Sequence, residues 1–246
     1  MKNKIFKVEK LPFLELRYLS HVTSCDKAHK HDELTITAIK NGCINIEFDS
    51  FTDNLRPNEL SVVNPHAVHC AFLSKEESFG CYVMYLDESW CFEIQKSLYE
   101  NLYEYLNVNA TLLQSKELYE DFIKVCNALF VQENSLLEKE ETIIEFISAL
   151  FLNFCEEKNI SNVSKNSLRL AQIIEKYIDE NFLEDIVLED ISLHVQMSVV
   201  HLLRVFKAEF GLSIHSYILN KKIRYGKKHP LLAPYFTFFR TSYLKY

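Results

Sequence analysis

Four side chains near the start of the chain combine type and spacing in a way that can gather a ligand. His29 and His31 stand one residue apart, Glu33 follows, and His69 lies well downstream. Two imidazoles, a carboxylate and a distant third imidazole are a set from which a β-barrel can build a site for iron, manganese or zinc. The same side chains can instead line a pocket and hydrogen-bond a small molecule. The second reading is adopted for His31, Glu33 and His69, with no metal and no cofactor expected. A second group sits towards the other end: Ser198, Val199, Val200, Leu203, Arg204 and Lys207. At helical spacing they form one outer face, where methyl groups can touch thymine methyls and the two cations can reach base edges or phosphates.

The first group needs strands to hold it. Leu34, Ile36 and Ala38 alternate with other residues, Lys40-Asn41-Gly42 reads as a turn, and Ile44, Ile46 and Phe48 resume the alternation, so this segment is expected to be a β-hairpin. Turn signals at Leu55-Arg56-Pro57-Asn58 and Asn64-Pro65-His66 separate further short apolar runs, and residues 80–86 form another. Many short strands punctuated by turns imply a small barrel over residues 1–90 whose interior can hold a ligand. From residue 91 to 160 the period becomes helical, with expected helices over 92–106, 116–131 and 140–157. The third carries Ile143, Ile144, Ile147, Leu150, Phe151 and Phe154 on one face, broad enough to pack inside the chain or against a second copy. Residues 161–166 read as a linker.

The second group needs a helix that ends outward. Leu170, Ile173, Ile174, Tyr177 and Ile178 mark one helix, residues 188–195 a second with Asp185 available near its start, and Gln196-Met197 a tight turn. Ser198 then caps a third helix whose Leu202, Val205, Phe206 and Phe210 face inward and which Gly211 stops. Helix, tight turn and helix is the arrangement that presents one helix to the major groove of DNA, and it places such a module at 167–228. The fold class is therefore α+β, with an N-terminal barrel, a middle helical segment and a C-terminal all-α module.

Charge agrees with this division. The chain carries a formal charge of -7, yet between Ser198 and Tyr246 there are nine basic residues and one acidic residue. A basic module on an acidic body favours a polyanion partner at that end alone. Seven cysteines without a CxxC pair fit free thiols in a reducing cytoplasm rather than a disulfide framework. No apolar run approaches the roughly 20 residues that span a bilayer, so no membrane partner is expected.

The residues of the second group stand in a longer pattern: Leu188-Glu189-Asp190-Ile191-Ser192, then Met197-Ser198-x-x-His201-Leu202-x-Arg204-x-Phe206-Lys207-x-Glu209-x-Gly211, then Tyr217-Ile218 and Lys222-Ile223-Arg224. In this the chain resembles the AraC/XylS family of bacterial transcription regulators. Its N-terminal part is similar to the cupin-like sensor domain of that family through His29-x-His31-Asp32-Glu33, Gly42 and residues 60–69. The resemblance implies an effector-binding barrel, middle helices that often dimerise, and a C-terminal domain that binds promoter DNA. The chain departs from the cupin metal pattern in the nearness of Glu33 to His31 and in Ala67 near His69, which favours an effector pocket over a metal-dependent enzyme. The family joins two helix-turn-helix units by a long helix, and here the pattern of the second is replaced over 229–246 by two prolines and six aromatic residues. The expectation is a shortened module with weak DNA binding of low specificity, unless a homodimer supplies two recognition helices. An interaction protein that antagonises a full-length relative is the remaining alternative.

Overall fold

The computed structural model describes residues 3–21, 27–73, 79–155 and 167–229. The linker expected at 161–166 and the aromatic stretch from residue 230 onward lie outside them. The chain divides into two compact units, the first made of 1–134 with 142–161 and the second of 135–141 with 162–246.

In the first unit, β1 (Lys4–Phe6), β2 (Leu14–His21), β3 (Leu34–Asn41), β6 (Leu60–Val63), β8 (Phe79–Leu86) and β9 (Leu112–Leu113) form one sheet in the order β1-β2-β8-β3-β6-β9. A second sheet has β4 (Ile44–Phe48) between β5 (Thr52–Leu55) and β7 (His69–Leu73). The hairpin expected from residues 34–48 is not formed. β3 pairs with β6 and β8, whereas β4 pairs with β5 and β7. The alternation is real and so is the turn, with Gly42 at φ 88. The turn is a corner between sheets, and Ile44 and Ile46 meet Ile39 and Cys81 face to face in a small core completed by Leu55. Alternating apolar residues satisfy facing sheets as well as they satisfy a paired hairpin.

Cross-strand partners share a face, so the register sorts the interior into rows. Leu19, Cys81 and Ile39 form an apolar row against the second sheet. Towards the other end come Arg17, Val83, Thr37 and Ser61, then Glu15, Tyr85, Thr35 and Val63. The interior is thus apolar at one end and polar at the other. The opposite face of the large sheet, with Leu16, Ile36 and Met84 fully buried, carries α2 (Lys116–Phe130), to which Tyr82 donates a hydroxyl bond at Asn127.

Two helix expectations change. The 92–106 segment forms α1 only over Glu88–Leu98, capped by Asp87, after which Tyr99 turns extended and Asn101 takes φ 56. Leu106 still points inward, held by a reciprocal pair of 2.8 Å bonds with the buried Gln95 amide, so its place in the apolar period reflects a buried loop. The helix expected over 140–157 begins earlier, as α3 (Leu136–Phe154). Its apolar face is used within the chain: Ile143, Ile144, Ile147, Leu150 and Phe151 are all buried. That face is not available to a second copy.

The second unit contains α4 (Ser167–Asn181), α5 (Leu188–Val195), α6 (Val199–Phe210) and α7 (Ile214–Lys228). α4 buries Ala171, Ile174 and Ile178, while Ile173 of the expected stripe is exposed. α5 starts without a side-chain cap at Val187, and Glu189 and Asp190 in its first turn complement the helix dipole instead of Asp185 capping it. The start of α7 is fully satisfied. Ser213 accepts from the Ser216 amide, and the buried Glu141 carboxylate accepts from Ile214 at 2.8 Å and His215 at 3.2 Å. Among the described residues no helix is long and apolar enough to cross a membrane.

Candidate functional site

The polar rows of the barrel open into a cavity of about 230 Å³ lined by Lys7, Glu15, Arg17, His31, Glu33, Tyr85 and Asp87, with Phe13 and Leu14 on its apolar side. Its charges are organised rather than scattered. Glu15 accepts from Lys7 at 2.8 Å and from Arg17 at 2.6 Å, and the Lys7 bond leads the effects that hold its carboxyl below the usual range. Arg17 lies 5.0 Å over the Tyr85 ring, and burial raises the Tyr85 hydroxyl, keeping it a neutral donor. Two hydroxyls on the same face, Thr35 Oγ1 and Ser61 Oγ, belong to residues only 4% and 1% exposed, and neither has a hydrogen-bond partner among the described residues. A buried hydroxyl without a partner costs about 1–3 kcal/mol.

Of the three residues expected to contact an effector, the cavity is bordered by His31 and Glu33 but not by His69. His69 lies behind His31, only 6% exposed, with ring centroids 5.3 Å apart. Sequence reasoning missed Glu15, Arg17 and Tyr85. The signal was present in Leu14-Glu15-Leu16-Arg17-Tyr18, where charged residues occupy every second position of an apolar strand and so must share one face.

His29, His31 and His69 come together in three dimensions. The one-residue spacing puts His29 and His31 on one side of an extended segment. A reciprocal backbone bridge, 2.9 Å in each direction, lays His29 beside His69. One ligand atom from each of the three rings falls within 4.8 Å of the others. His29 and His31 approach with Nε2 to Nε2 at 3.1 Å, while His29 Nδ1 and His69 Nδ1 each lie 3.1 Å from a backbone carbonyl, of Lys27 and Ala67. Burial is the largest cause lowering the affinity of His31 and His69 for protons, and the neighbouring rings add to it. Neutral imidazoles anchored through Nδ1 are the form that ligates a metal, so the donor chemistry fits one. Glu33 is not in the cluster; it faces the cavity with Arg17. His66 is also apart, an exposed ring between Asp32 at 3.2 Å and Glu88 at 3.1 Å.

In the second unit the turn between α5 and α6 is locked by Gln196 in the left-handed region at φ 54 and by the Ser192 hydroxyl bonded to the Met197 carbonyl at 2.5 Å. Ser198 caps α6, accepting from the His201 amide at 3.3 Å, and Gly211 at φ 68 ends it. The outer face differs from that expected. Val200 and Leu203 are 3% and 6% exposed, buried together with Leu202, Val205 and Phe206. The inward arc of α6 is wider than one stripe because α4, α5 and α7 all pack on it. Ser198 and Lys207 are exposed, and Val199, His201 and Arg204 are half-buried. What remains is a polar line of Ser198, His201, Arg204 and Lys207 at successive intervals of three, in place of a methyl-rich one, with Arg204 burying its Nη1. His201 stands in the family pattern but not in the set expected on this face, although it precedes Arg204 by about one helical turn. Burial, then the Arg204 charge, keeps its ring from protonating at the usual pH. Arg224 and Lys228 on α7 are exposed, whereas Lys221 is engaged with Asp179.

Residues 16–151 match the family model described as the AraC-like ligand binding domain. A protein of Bacillus subtilis named as the uncharacterized HTH-type transcriptional regulator YbfI is 24% identical over 207 residues, covering 81% of this chain and 72% of the relative. Among solved structures, a cupin-2 domain protein of Shewanella frigidimarina is similar over 35% of this chain and 79% of its own, at 16% identity and a TM-score of 0.29. Oxalate decarboxylase of Bacillus subtilis is similar over the same share of this chain and 25% of its own, at 16% identity and a TM-score of 0.30.

Proposed function

Since this chain belongs to the AraC-like ligand-binding family by the match over residues 16–151, we propose that it is a transcription regulator in which a small polar effector occupies the barrel and the C-terminal module contacts DNA. The observation that carries the reading is the capped helix α6, bearing exposed Ser198 and Lys207 with half-buried His201 and Arg204 between them, on the same chain as the family-matched sensor. Arg and His can donate to purine edges in the major groove, and Lys207 with Arg224 and Lys228 can neutralise phosphates. The name of the Bacillus subtilis relative supports the same class.

The effector contacts are His31 and Glu33, joined by Arg17 and Tyr85 of the same cavity lining. A guest with both hydrogen-bonding and charged groups would match that lining. No reaction is assigned to the cavity. A second copy would supply a second recognition helix, and with it the spacing that operator half-sites require.

The test is a titration of promoter and scrambled duplexes at several salt concentrations, with Arg204→Ala beside the native chain. One recognition helix is described per chain, so binding should be weak and steeply salt-dependent, with modest preference for the promoter that Arg204→Ala abolishes. Binding indifferent to salt, or unchanged by Arg204→Ala, would remove α6 from the interface.

A further inference from the structure

We propose that His29, His31 and His69 form a binding site for one divalent transition-metal ion of the zinc type, ligated by three imidazoles without a carboxylate. The site goes beyond the regulator reading and does not depend on it. The sensor cavity beside it contributes one shared residue, His31.

The distances fit. Zinc–imidazole bonds of about 2.0–2.1 Å place neighbouring nitrogens about 2.9 Å apart in octahedral and about 3.4 Å apart in tetrahedral geometry. His29 Nε2 and His31 Nε2 are 3.1 Å apart, between those values. The ligand atoms of all three rings lie within 4.8 Å of one another, so the widest separation has to close by about 1.4 Å to reach tetrahedral spacing. The proton positions fit as well. A ring whose Nδ1 donates to a carbonyl carries its lone pair on Nε2. His29 and His69 each have Nδ1 at 3.1 Å from such a carbonyl, the arrangement that makes Nε2 the nitrogen available to ligate. His29 Nε2 and His31 Nε2 share a 3.1 Å hydrogen bond, which a bound cation would replace by two bonds to the same nitrogens. Backbone carbonyls on the far side of metal-bound imidazoles are the outer contacts that fix such rings.

The donor set also decides which ions are favoured. Three neutral nitrogens leave the full charge of the ion uncompensated by the protein, so a carboxylate-seeking ion such as magnesium or calcium is disfavoured and zinc, cobalt, nickel or copper is preferred. Glu33 does not change this, because it lies with Arg17 in the cavity and outside the cluster. With three protein ligands the ion keeps at least one position for water or another small ligand.

The experiment uses the full chain, stripped with a chelator and free of DNA, so that its result stands apart from the regulator reading. Zn²⁺ is titrated calorimetrically, and Co²⁺ is followed by its visible bands. The expected result is one equivalent bound, with His31→Gln and His69→Gln each weakening it by more than about tenfold, and His66→Gln, a nearby exposed histidine, leaving it unchanged. Ring ¹⁵N shifts of the native chain give a readout that needs no variant: on adding Zn²⁺, the Nε2 resonances of His29, His31 and His69 should move together. Less than half an equivalent bound, or shifts confined to His66 or other exposed histidines, would overturn the proposal even if the variants fail to fold.

Discussion

Glu141→Ala should loosen the second unit at a defined place, the start of α7. In the native chain the Glu141 carboxylate accepts the amide of Ile214 at 2.8 Å and that of His215 at 3.2 Å, and Ile214 is wholly buried. Each helix start leaves several amides without partners inside the helix. Removing the acceptor therefore strands two donors, at about 1–3 kcal/mol for a fully buried one and less for the other. The carboxylate also faces the positive end of the helix dipole, a contribution of up to about 2 kcal/mol when partly buried. Against these stands the cost of burying the charge in the first place, so the net loss should be about 2–4 kcal/mol. Glu141→Gln retains one acceptor and loses the charge, and should cost about half as much. Urea unfolding followed by circular dichroism gives the total, and hydrogen exchange of the amides at 214 and 215 gives the location. Ser213→Ala is the control, removing the acceptor of the Ser216 amide and the hydroxyl contact with Ser216 at about 1 kcal/mol. If Glu141→Ala leaves exchange across 214–228 unchanged and shifts stability by less than about 0.5 kcal/mol, within the ordinary range for surface substitutions, the carboxylate is not holding α7 and the account is wrong.

Two further outcomes follow from the same unit. Burial, with the charge of Glu189 second, raises Glu140 from the usual 4.5 to about 7. The folded chain then holds this proton more tightly than the unfolded chain, so the residue costs nothing below about pH 4.5, a growing amount as pH rises, and a constant amount above about pH 7. Glu140→Gln should accordingly raise stability above pH 7 by at most about 3 kcal/mol and leave it unchanged near pH 4, measured by urea titration at both pH values; an equal effect at the two would show that the carboxylate is not desolvated. Gly211 ends α6 at φ 68 with nothing within 4 Å of where a Cβ would sit. Gly211→Ala should thus cost only the left-handed backbone, about 1 kcal/mol, and a much larger loss in thermal unfolding would point to a contact that is absent from this packing.

The parts of the fold that were legible in the sequence are those set by one residue's own chemistry. Ser198 and Gly211 bracket α6 because a hydroxyl accepts an orphan amide and only glycine readily takes φ 68. What was not legible depends on partners far away in the chain. The run from Leu34 to Phe48 carries the same alternation whether β3 pairs with β4 or faces it across a core, and the choice rests on β6, β7 and β8, which lie up to several dozen residues on. Helix α6 shows the same limit. Subtracting one apolar stripe from α6 left Val200 and Leu203 outside, since a sequence does not say how many neighbours a helix has. Three helices pack on α6, the inward arc takes in both residues, and the polar positions left at its border are His201 and Arg204. That exchange alters the chemistry: valine and leucine offer methyl groups to a base edge, whereas imidazole and guanidinium offer donors with direction. The histidine cluster was half legible for a similar reason. Spacing alone puts His29 and His31 on one side, but His69 joins them through a single backbone bridge, and Glu33, two residues beyond His31, lines the cavity instead. A site assembled from two segments is decided by the pairing between them, and the pairing here selects three nitrogens and leaves the carboxylate to the cavity.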